Sequence, residues 1–295
     1  MQMRKDDGDM RLREKLNSGK IMVAPGIYDF ISLKIADQLN FDCLYMSGYG
    51  TVASYLGLPD AGLATYTDML NRVRAFCESS STPIICDGDT GYGGLLNVFN
   101  TVEGYIKAGA AGIQLEDQDF PKKCGHTKGR RLISSKDMEA KIKVAVDARA
   151  DSDDFLIVAR TDARSSEGLD EALRRAENYL AAGADVLFVE SPESEDELRI
   201  IGETLKAPLI VNIVEGGRTP QPSLSDLEKM GFSLAIHPCL GFLSAGKALR
   251  DAFSYLKHVG DSIDYREIDG FEDFNKLIGF QKVWDFDEKY AGLDG

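Results

Sequence analysis

Eight short apolar runs recur along the chain, and each is followed by a polar or glycine-containing turn and then by a longer segment with helical periodicity. The runs have few polar interruptions, which is typical of parallel strands covered on both faces. Eight such units without a break in composition predict an α/β fold, a (β/α)₈ barrel of the TIM type, although a doubly wound open sheet could also have eight strands. The predicted strands are residues 21–26, 43–48, 83–89, 112–117, 155–162, 186–191, 208–215 and 234–238.

Helical patterns fill the segments between the predicted strands. Clear examples are Leu95–Lys107, Ser135–Ala148 and Leu169–Ala182. After the last strand the pattern is wholly helical, through Leu243–His258 and about 270–290, which is more than an eighth barrel helix needs. We therefore expect residues 1–295 to form a single domain, with the barrel at about 20–258. The helical C-terminal arm, at about 259–295, would pack on the barrel or on a neighbouring subunit.

The charge of the chain limits the partners that it can bind. The 48 Asp and Glu residues exceed the 34 Lys and Arg residues, which gives a formal net charge of −14 at pH 7. Nucleic acid requires a basic surface and an anionic membrane surface would repel this chain, so we expect neither as a partner. An anionic small molecule is still possible, because a local arginine, a metal ion or backbone amides can reverse the field within one cleft.

Targeting signals are not apparent in the sequence. The first residues are charged throughout and lack the apolar core of a signal peptide, and no stretch approaches the roughly 20 apolar residues that span a bilayer. The five cysteines are an odd number without a CxxC pair, which indicates reduced thiols. We therefore expect a cytoplasmic protein.

Polar residues gather at the carboxyl ends of seven predicted strands, where the active site of a parallel barrel lies. Any one of them could simply be exposed, because strand ends meet solvent. The opposite ends, however, carry plain residues such as Ile21 and Pro83. The strand-end set is Tyr45, Ser47, Gly48, Asp87, Asp89, Glu116, Asp117, Arg160, Asp162, Glu190, Asn212, Glu215 and His237.

Three of these carboxylates suggest a metal site. Asp87 and Asp89 are two residues apart on one strand, so their side chains point to the same face, and Glu116 on the next strand can complete a cluster. Oxygen ligands without His or Cys suit Mg²⁺ or Mn²⁺. A DxD pattern is common by chance, but the neighbouring glutamate and the glycine-rich turn at 91–94 favour the metal site.

The loop after the fourth predicted strand has the sequence Pro-Lys-Lys-Cys-Gly-His at 121–126. Positive charge near Cys124, from two lysines and His126, should favour its thiolate. Such a group can act as an acid or base, or as a nucleophile, and a loop over a barrel mouth can close as a lid. The alternative is a flexible basic surface loop.

These residues resemble motifs of the isocitrate lyase/phosphoenolpyruvate mutase superfamily over nearly the whole chain. The order of KKCGH after a LEDQ strand is highly specific for that family. The resemblance implies a (β/α)₈ barrel whose eighth helix is exchanged between subunits, usually in a homotetramer. The motifs are APGIYD (24–29), YMSGYGTVAS (45–54), GLPDAGL (57–63), DGDTGYG (87–93), QLEDQ (114–118), KKCGH (122–126), ARTDA (159–163), FVESP (188–192) and NIVEGGRTP (212–220).

The resemblance also implies the roles of individual side chains. Asp87 would bind Mg²⁺, with Asp89 and Glu116 acting largely through water. The metal-bound α-keto acid product would place its carboxylate against Arg160 and the backbone amides around Ser47 and Gly48. The implied catalytic residues are Cys124, as the acid or base of the lid, with His126, Tyr45 and Glu190. The implied substrate-binding residues are Ser47, Gly48, Gly125, Arg160, Asn212, Glu215 and Arg218.

The activity implied by the resemblance is that of an Mg²⁺-dependent carbon–carbon (oxo-acid) lyase. It would cleave a 2-hydroxy dicarboxylate such as 2,3-dimethylmalate or 2-methylisocitrate to pyruvate and a short carboxylate. Phosphonomutases of the family generally lack the cysteine of KKCGH, which favours a lyase, and the 215–220 loop suggests a substrate with two carboxylates. The alternatives are a carboxyphosphonoenolpyruvate phosphonomutase, an oxaloacetate hydrolase or decarboxylase on the same site, and a barrel that binds a keto acid without turnover. His237 stands where relatives commonly have Tyr, and it either alters the pocket or fills space.

Overall fold

A computed structural model describes residues 11–125, 127 and 129–291 of the chain. Eight parallel strands form a closed barrel in which each strand pairs with the next and the last pairs with the first. This closure confirms the (β/α)₈ barrel and excludes the open doubly wound sheet. The strands are β1 (Met22–Ile27), β2 (Leu44–Met46), β3 (Ile84–Asp87), β4 (Gly112–Glu116), β5 (Leu156–Thr161), β6 (Val186–Val189), β7 (Leu209–Asn212) and β8 (Leu234–His237).

Helices surround the barrel and continue beyond it. They are α1 (Leu12–Leu16), α2 (Phe30–Gln38), α3 (Gly48–Leu56), α4 (Tyr66–Ser79), α5 (Leu95–Lys107), α6 (Ser135–Arg149), α7 (Arg164–Glu167), α8 (Leu169–Ala181), α9 (Glu195–Thr204), α10 (Leu224–Lys229), α11 (Leu240–Val259), α12 (Phe271–Ile278) and α13 (Phe280–Tyr290). The helical C-terminal segment is confirmed. The continuous pattern predicted at about 270–290 is divided into α12 and α13 at Gly279, whose φ of +101° interrupts the helix.

Two apolar layers hold the barrel together, because successive side chains of a strand point to opposite faces of the sheet. One cluster, which includes Ile85, Val158, Phe188 and Ile210, fills the barrel. The larger cluster joins the outer face of the strands to the helices. The carboxyl ends of the strands are left for polar side chains, above the packed barrel interior.

The same alternation separates two neighbouring acidic residues at the end of β4. Glu116 belongs to the barrel mouth, whereas Asp117 accepts hydrogen bonds from the hydroxyls of Thr161 (2.7 Å) and Tyr179 (2.8 Å) and an ion pair from Arg175 (3.2 Å). Tyr179 and Arg175 both lie on α8, in the outer layer. Asp117 is therefore a buried anchor between the sheet and α8, and not part of the cavity.

Two sequence-based expectations concern membrane-spanning segments and the redox state of the cysteines. Among the described residues, no helix combines the length and the apolar character that crossing a bilayer requires. No disulfide joins any of the five cysteines, all of which lie in the described part of the chain.

Candidate active site

The carboxyl ends of the strands surround a cavity of about 50 Å³, called here the mouth cavity. Ten of the predicted site residues line it, and they come from six strand ends, the start of α3 and the loop after β4. These ten residues are Tyr45, Ser47, Gly48, Asp87, Glu116, Cys124, Gly125, Arg160, Glu190 and Asn212. His126 lies outside the described residues, and Asp89, Glu215 and Arg218 lie elsewhere at this end of the barrel.

The charges around the mouth cavity do not balance. The described residues that line it have a formal charge of −2, because they include four carboxylates and two cationic side chains. Buried carboxylates are costly unless a cation or hydrogen bonds offset them, and Glu116 Oε1 is buried with no hydrogen-bond partner among the described residues. The chemistry of this oxygen-rich lining therefore fits a divalent cation. The four acids are Asp60, Asp87, Glu116 and Glu190, and the two bases are Lys122 and Arg160.

Asp87 lies at the end of β3, in direct contact with the start of α3. Its Oδ1 accepts hydrogen bonds from the backbone N of Asp89 (3.0 Å) and from Gln114 Nε2 (3.5 Å). A Cβ atom at Gly48 would lie only 2.3 Å from Asp87 Oδ2, so only glycine fits between them. The helix start and the carboxylate are thus packed together, which fixes the carboxylate at the wall of the cavity.

Asp89 is part of an ion-pair network that its spacing did not predict. Lys122 Nζ lies 2.5 Å from Asp89 Oδ1 and 2.6 Å from Asp60 Oδ1, so the lysine stands between these two carboxylates. Burial raises the pKa of Asp89 to about 7, against the opposing charge of Lys122. Burial alone would lower the pKa of Lys122, but Asp89, Glu116 and the other nearby carboxylates raise it well above its ordinary value.

The assignment of Asp89 and Glu116 as groups that act on the metal through water stays a prediction. In the described ranges, no three His, Cys, Asp or Glu side chains come close enough together to hold a metal ion. The ammonium of Lys122 takes the position beside Asp89. An arrangement with Asp87 as the direct ligand and water at the remaining positions fits the residues, because Mg²⁺ commonly keeps several waters.

Arg160 is fixed by a network of acids at the other side of the mouth cavity. Its Nε and Nη2 each lie 3.0 Å from the carboxylate of Asp162, and its Nη1 lies 3.2 Å from Glu190. Glu190 in turn accepts hydrogen bonds from Asn212 Nδ2 (3.1 Å) and from the Ser191 hydroxyl (2.9 Å). The guanidinium is thus presented to the cavity in one orientation.

Tyr45 is a buried, neutral hydrogen-bonding group in this cavity. Its hydroxyl donates to Gln114 Oε1 at 2.8 Å. Burial raises the pKa of Tyr45 well above its ordinary value, and the charge of Asp87 raises it further. Gln114 was not predicted as a site residue, although a polar residue in the middle of an apolar strand, within the QLED motif, was the signal for it.

The loop after β4 brings Cys124 to the mouth cavity and is fastened at several points. The Gln118 side chain exchanges two hydrogen bonds with the backbone of Lys123, at 2.8 and 2.9 Å. The backbone N of Cys124 donates to Asp60 O at 3.3 Å. Gly125 follows, and any Cβ there would lie 2.2 Å from Arg160 Nη2, which explains a glycine directly after the cysteine.

Both lysines beside Cys124 have partners of their own. The Lys122 ammonium is bound by two carboxylates, and that of Lys123 donates to Gly129 O at 3.1 Å. Cys239 also lines the mouth cavity, but burial raises its pKa to about 12, with a further contribution from Cys124. Of the two thiols, Cys124 is the one carried by the loop that covers the cavity.

The last predicted residues lie at the ends of β7 and β8. His237 Nδ1 is 3.3 Å from Glu215 Oε1, and both side chains are partly exposed beside the mouth cavity. The nearby wall of the cavity is apolar and is formed by Val214, Ile236 and Pro238. Arg218 lines a separate cavity.

This arrangement, a cavity lined by polar side chains at the carboxyl ends of the strands, is that of a (β/α)₈-barrel enzyme. The model of the phosphoenolpyruvate phosphomutase family matches residues 12–257. The chain is 45% identical over 282 residues to 2,3-dimethylmalate lyase of Eubacterium barkeri, a match that covers 95% of this chain and 97% of that protein. The chain belongs to the phosphoenolpyruvate mutase/isocitrate lyase superfamily, as its motifs indicate.

Solved structures agree with this family. The structure of oxaloacetate acetylhydrolase with the inhibitor 3,3-difluorooxalacetate has a TM-score of 0.90 at 34% identity, and the match covers 96% of both chains. The structure of phosphonopyruvate hydrolase with oxalate and Mg²⁺ has a TM-score of 0.85 at 28% identity, and covers 95% of this chain and 98% of that chain. Lyases, mutases and hydrolases therefore share this fold.

The contact between Gly48 and Asp87 generates a prediction. Gly48→Ala should displace the Asp87 carboxylate and weaken the binding of Mn²⁺, used as a probe for Mg²⁺, by about 10- to 100-fold, the range seen when groups that orient a metal ligand are changed. Titration calorimetry with Mn²⁺ measures this change. Gly246→Ala is the control, because a Cβ there meets nothing within 4 Å. Unchanged Mn²⁺ affinity in Gly48→Ala would contradict the role given to Asp87.

Proposed function

We propose that this protein is an Mg²⁺-dependent carbon–carbon lyase, which cleaves a substituted malate to pyruvate or another α-keto acid and a short carboxylate. The observation that carries the proposal is that three groups line one cavity: the carboxylate of Asp87, the guanidinium of Arg160 and the thiol of Cys124. The 45% identity to a 2,3-dimethylmalate lyase supports it. The odd number of cysteines, none of them in a disulfide, also supports a cytoplasmic location.

The chain's own residues bind and orient the substrate. The carboxylate next to the hydroxyl-bearing carbon C2 would meet Arg160 and the backbone amides at the start of α3, where helix N–H groups favour an anion. The Tyr45 hydroxyl, which burial keeps protonated, would turn its proton from Gln114 Oε1 to the oxygen on C2. Mg²⁺ held by Asp87 would supply Lewis-acid stabilisation of negative charge on that oxygen.

When the C2 hydroxyl gives its proton to a carboxylate of the mouth cavity, the bond between C2 and C3 can break, which forms the keto group at C2 and leaves an electron pair on C3, next to a carboxylate. A positioned acid must give that carbon a proton. Cys124 lies on the loop that covers the cavity and lines it from that side, so its thiol is the proposed donor. Closure of this loop would also exclude water from the carbanion, which is a common function of such lids.

The apolar wall of the mouth cavity favours an alkyl group on the substrate. Val214, Ile236 and Pro238 offer no charged or hydrogen-bonding side chain to a third carboxylate. Glu215 lies just behind this wall and would repel one. We therefore infer that malates with small alkyl substituents, such as 2,3-dimethylmalate, are cleaved in preference to tricarboxylates such as 2-methylisocitrate.

A second candidate is an oxaloacetate hydrolase on the same site, and the 34% identity to an oxaloacetate acetylhydrolase of known structure favours it. Both activities would use the proposed cation at Asp87 and the guanidinium of Arg160. Both reactions break a bond to C2 and protonate the carbon that is released, so the products distinguish them: pyruvate from a substituted malate, or oxalate and acetate from oxaloacetate. A phosphonomutase would instead convert carboxyphosphonoenolpyruvate, which phosphorus NMR detects.

The test is a coupled assay of pyruvate release, with Mg²⁺ present, from 2,3-dimethylmalate, 2-methylisocitrate and other substituted malates. We expect release from 2,3-dimethylmalate, its loss with EDTA, and a fall of about 10²- to 10⁴-fold in kcat for Cys124→Ser, the usual contribution of a general acid. Mn²⁺ binding should be unchanged in that variant. Cys239→Ser, which changes the other thiol of the cavity, is the matched control and should retain activity.

Two results would contradict the proposal. No release of pyruvate from any substituted malate would exclude the lyase, and full activity of Cys124→Ser would exclude this cysteine as the acid.

We also propose that the protein is a homotetramer in which C-terminal helices are exchanged between subunits. Residues of α11 to α13 are largely exposed in the single chain, including Phe253 (64%), Phe271 (82%) and Phe286 (61%). Contiguous apolar surface of this kind indicates a protein interface. Light scattering after size exclusion should give four times the chain mass of 32.4 kDa, and a monomer would contradict the proposal.

A further inference from the structure

A second cavity, of about 190 Å³, lies at the same end of the barrel and is called here the arginine cavity. Three loops form it: the end of the segment after β4, with Thr127 and Arg130; the turn around α7, with Ser165 and Ser166; and the loop after β7, with Arg218. It has room for several water molecules, since each takes about 30 Å³ in the liquid. None of the activities discussed above uses it.

Positive charge exceeds negative charge in the arginine cavity, in a chain whose net charge is −14. Arg130 and Arg218 face it, with Asp162 as the single carboxylate. Asp162 is already bound by Arg130 and by both nitrogens of the Arg160 fork. Little of its charge is therefore left to offset Arg218.

Arg218 is the unusual member of this group. It is exposed at the cavity, and its side chain makes no hydrogen bond or ion pair with any residue in the described part of the chain. The other cavity arginine, Arg130, donates to Ser165 Oγ at 2.7 Å, which leaves the proton of that hydroxyl available to a ligand. Ser166 adds a second hydroxyl. Two guanidinium groups with hydroxyl donors between them form a set that binds tetrahedral oxyanions.

We propose that the arginine cavity is a binding site for phosphate or a phosphate monoester, separate from the mouth cavity. A dianion between Arg130 and Arg218 satisfies both guanidinium groups, which a single carboxylate does less well. Bound there, it links the loop after β7 to the end of the segment that carries Cys124. The site requires no metal and does not depend on the reaction proposed for the mouth cavity.

The test is titration of the full-length protein with inorganic phosphate, and separately with glycerol 3-phosphate, in EDTA and followed by calorimetry. The wild type should bind phosphate saturably, and Arg218→Gln should weaken the binding at least about tenfold, as expected for loss of a charge-assisted hydrogen bond. Arg199→Gln is the matched control, because Arg199 is an exposed arginine on α9 that pairs only with Asp196 in the described structure. Binding of both anions indicates a monoester site, and binding of phosphate alone a site for the inorganic ion.

Two further variants keep the test decisive. Ser166→Ala, a smaller change, should weaken phosphate binding by a few-fold without affecting the fold. Asp87→Asn alters the mouth cavity and should leave phosphate binding unchanged. The proposal is overturned if the wild type shows no saturable binding up to tens of millimolar, if Arg218→Gln binds like the wild type, or if Asp87→Asn abolishes the binding.

Discussion

The excess of buried carboxylates over cationic side chains at the barrel mouth is the constraint on which the rest of the site depends. Lys122 and Arg160 are each held between acids of the protein, and the acids still outnumber them. A buried excess of negative charge is stable only with a further cation or with protonation. This excess fits the divalent ion that we propose, and such an ion would let the cavity hold an organic acid although the whole chain is strongly acidic.

The same ion pairs connect the wall at Asp87, where the proposed cation would bind, with the loop that carries Cys124, the proposed proton donor. Lys122 is two residues before Cys124, so its contacts with Asp60 and Asp89 hold the covering loop against the loop after α3 and the end of β3. Gly125 then packs against Arg160, with no space for a side chain. Residues 122–125 therefore bring charge, thiol and close backbone packing to one place, and this explains why these residue types occur together.

Much of the fold could be predicted from the sequence, because parallel strands covered on both faces need continuous apolar runs. All eight strands lie at the predicted places, and β1 extends past its predicted end by one residue, to Ile27. The carboxyl ends of strands converge by geometry, so the mouth cavity could be assembled from strand ends alone. The break between α12 and α13 was missed, since helical periodicity continues on both sides of Gly279.

The contacts within the site that spacing did not predict have a common physical origin. Spacing along a strand shows which face a side chain belongs to, but not which partner it chooses. Asp89 shares a face with Asp87, yet it binds the ammonium of Lys122, which comes from a loop whose path the sequence does not define. The position of Arg218 depends on a loop in the same way, and it lies with Arg130 in a second cavity.

The central claim is that Cys124 protonates C3 after the C2–C3 bond of a substituted malate is broken. Proton NMR of 2,3-dimethylmalate incubated with the protein and Mg²⁺ in deuterium oxide tests it most directly, because the thiol exchanges its proton with solvent. The account predicts pyruvate and propionate in equal amounts, with a single deuterium at C2 of the propionate. Absence of cleavage, or deuterated propionate formed as fast by Cys124→Ser as by the wild type, would contradict it.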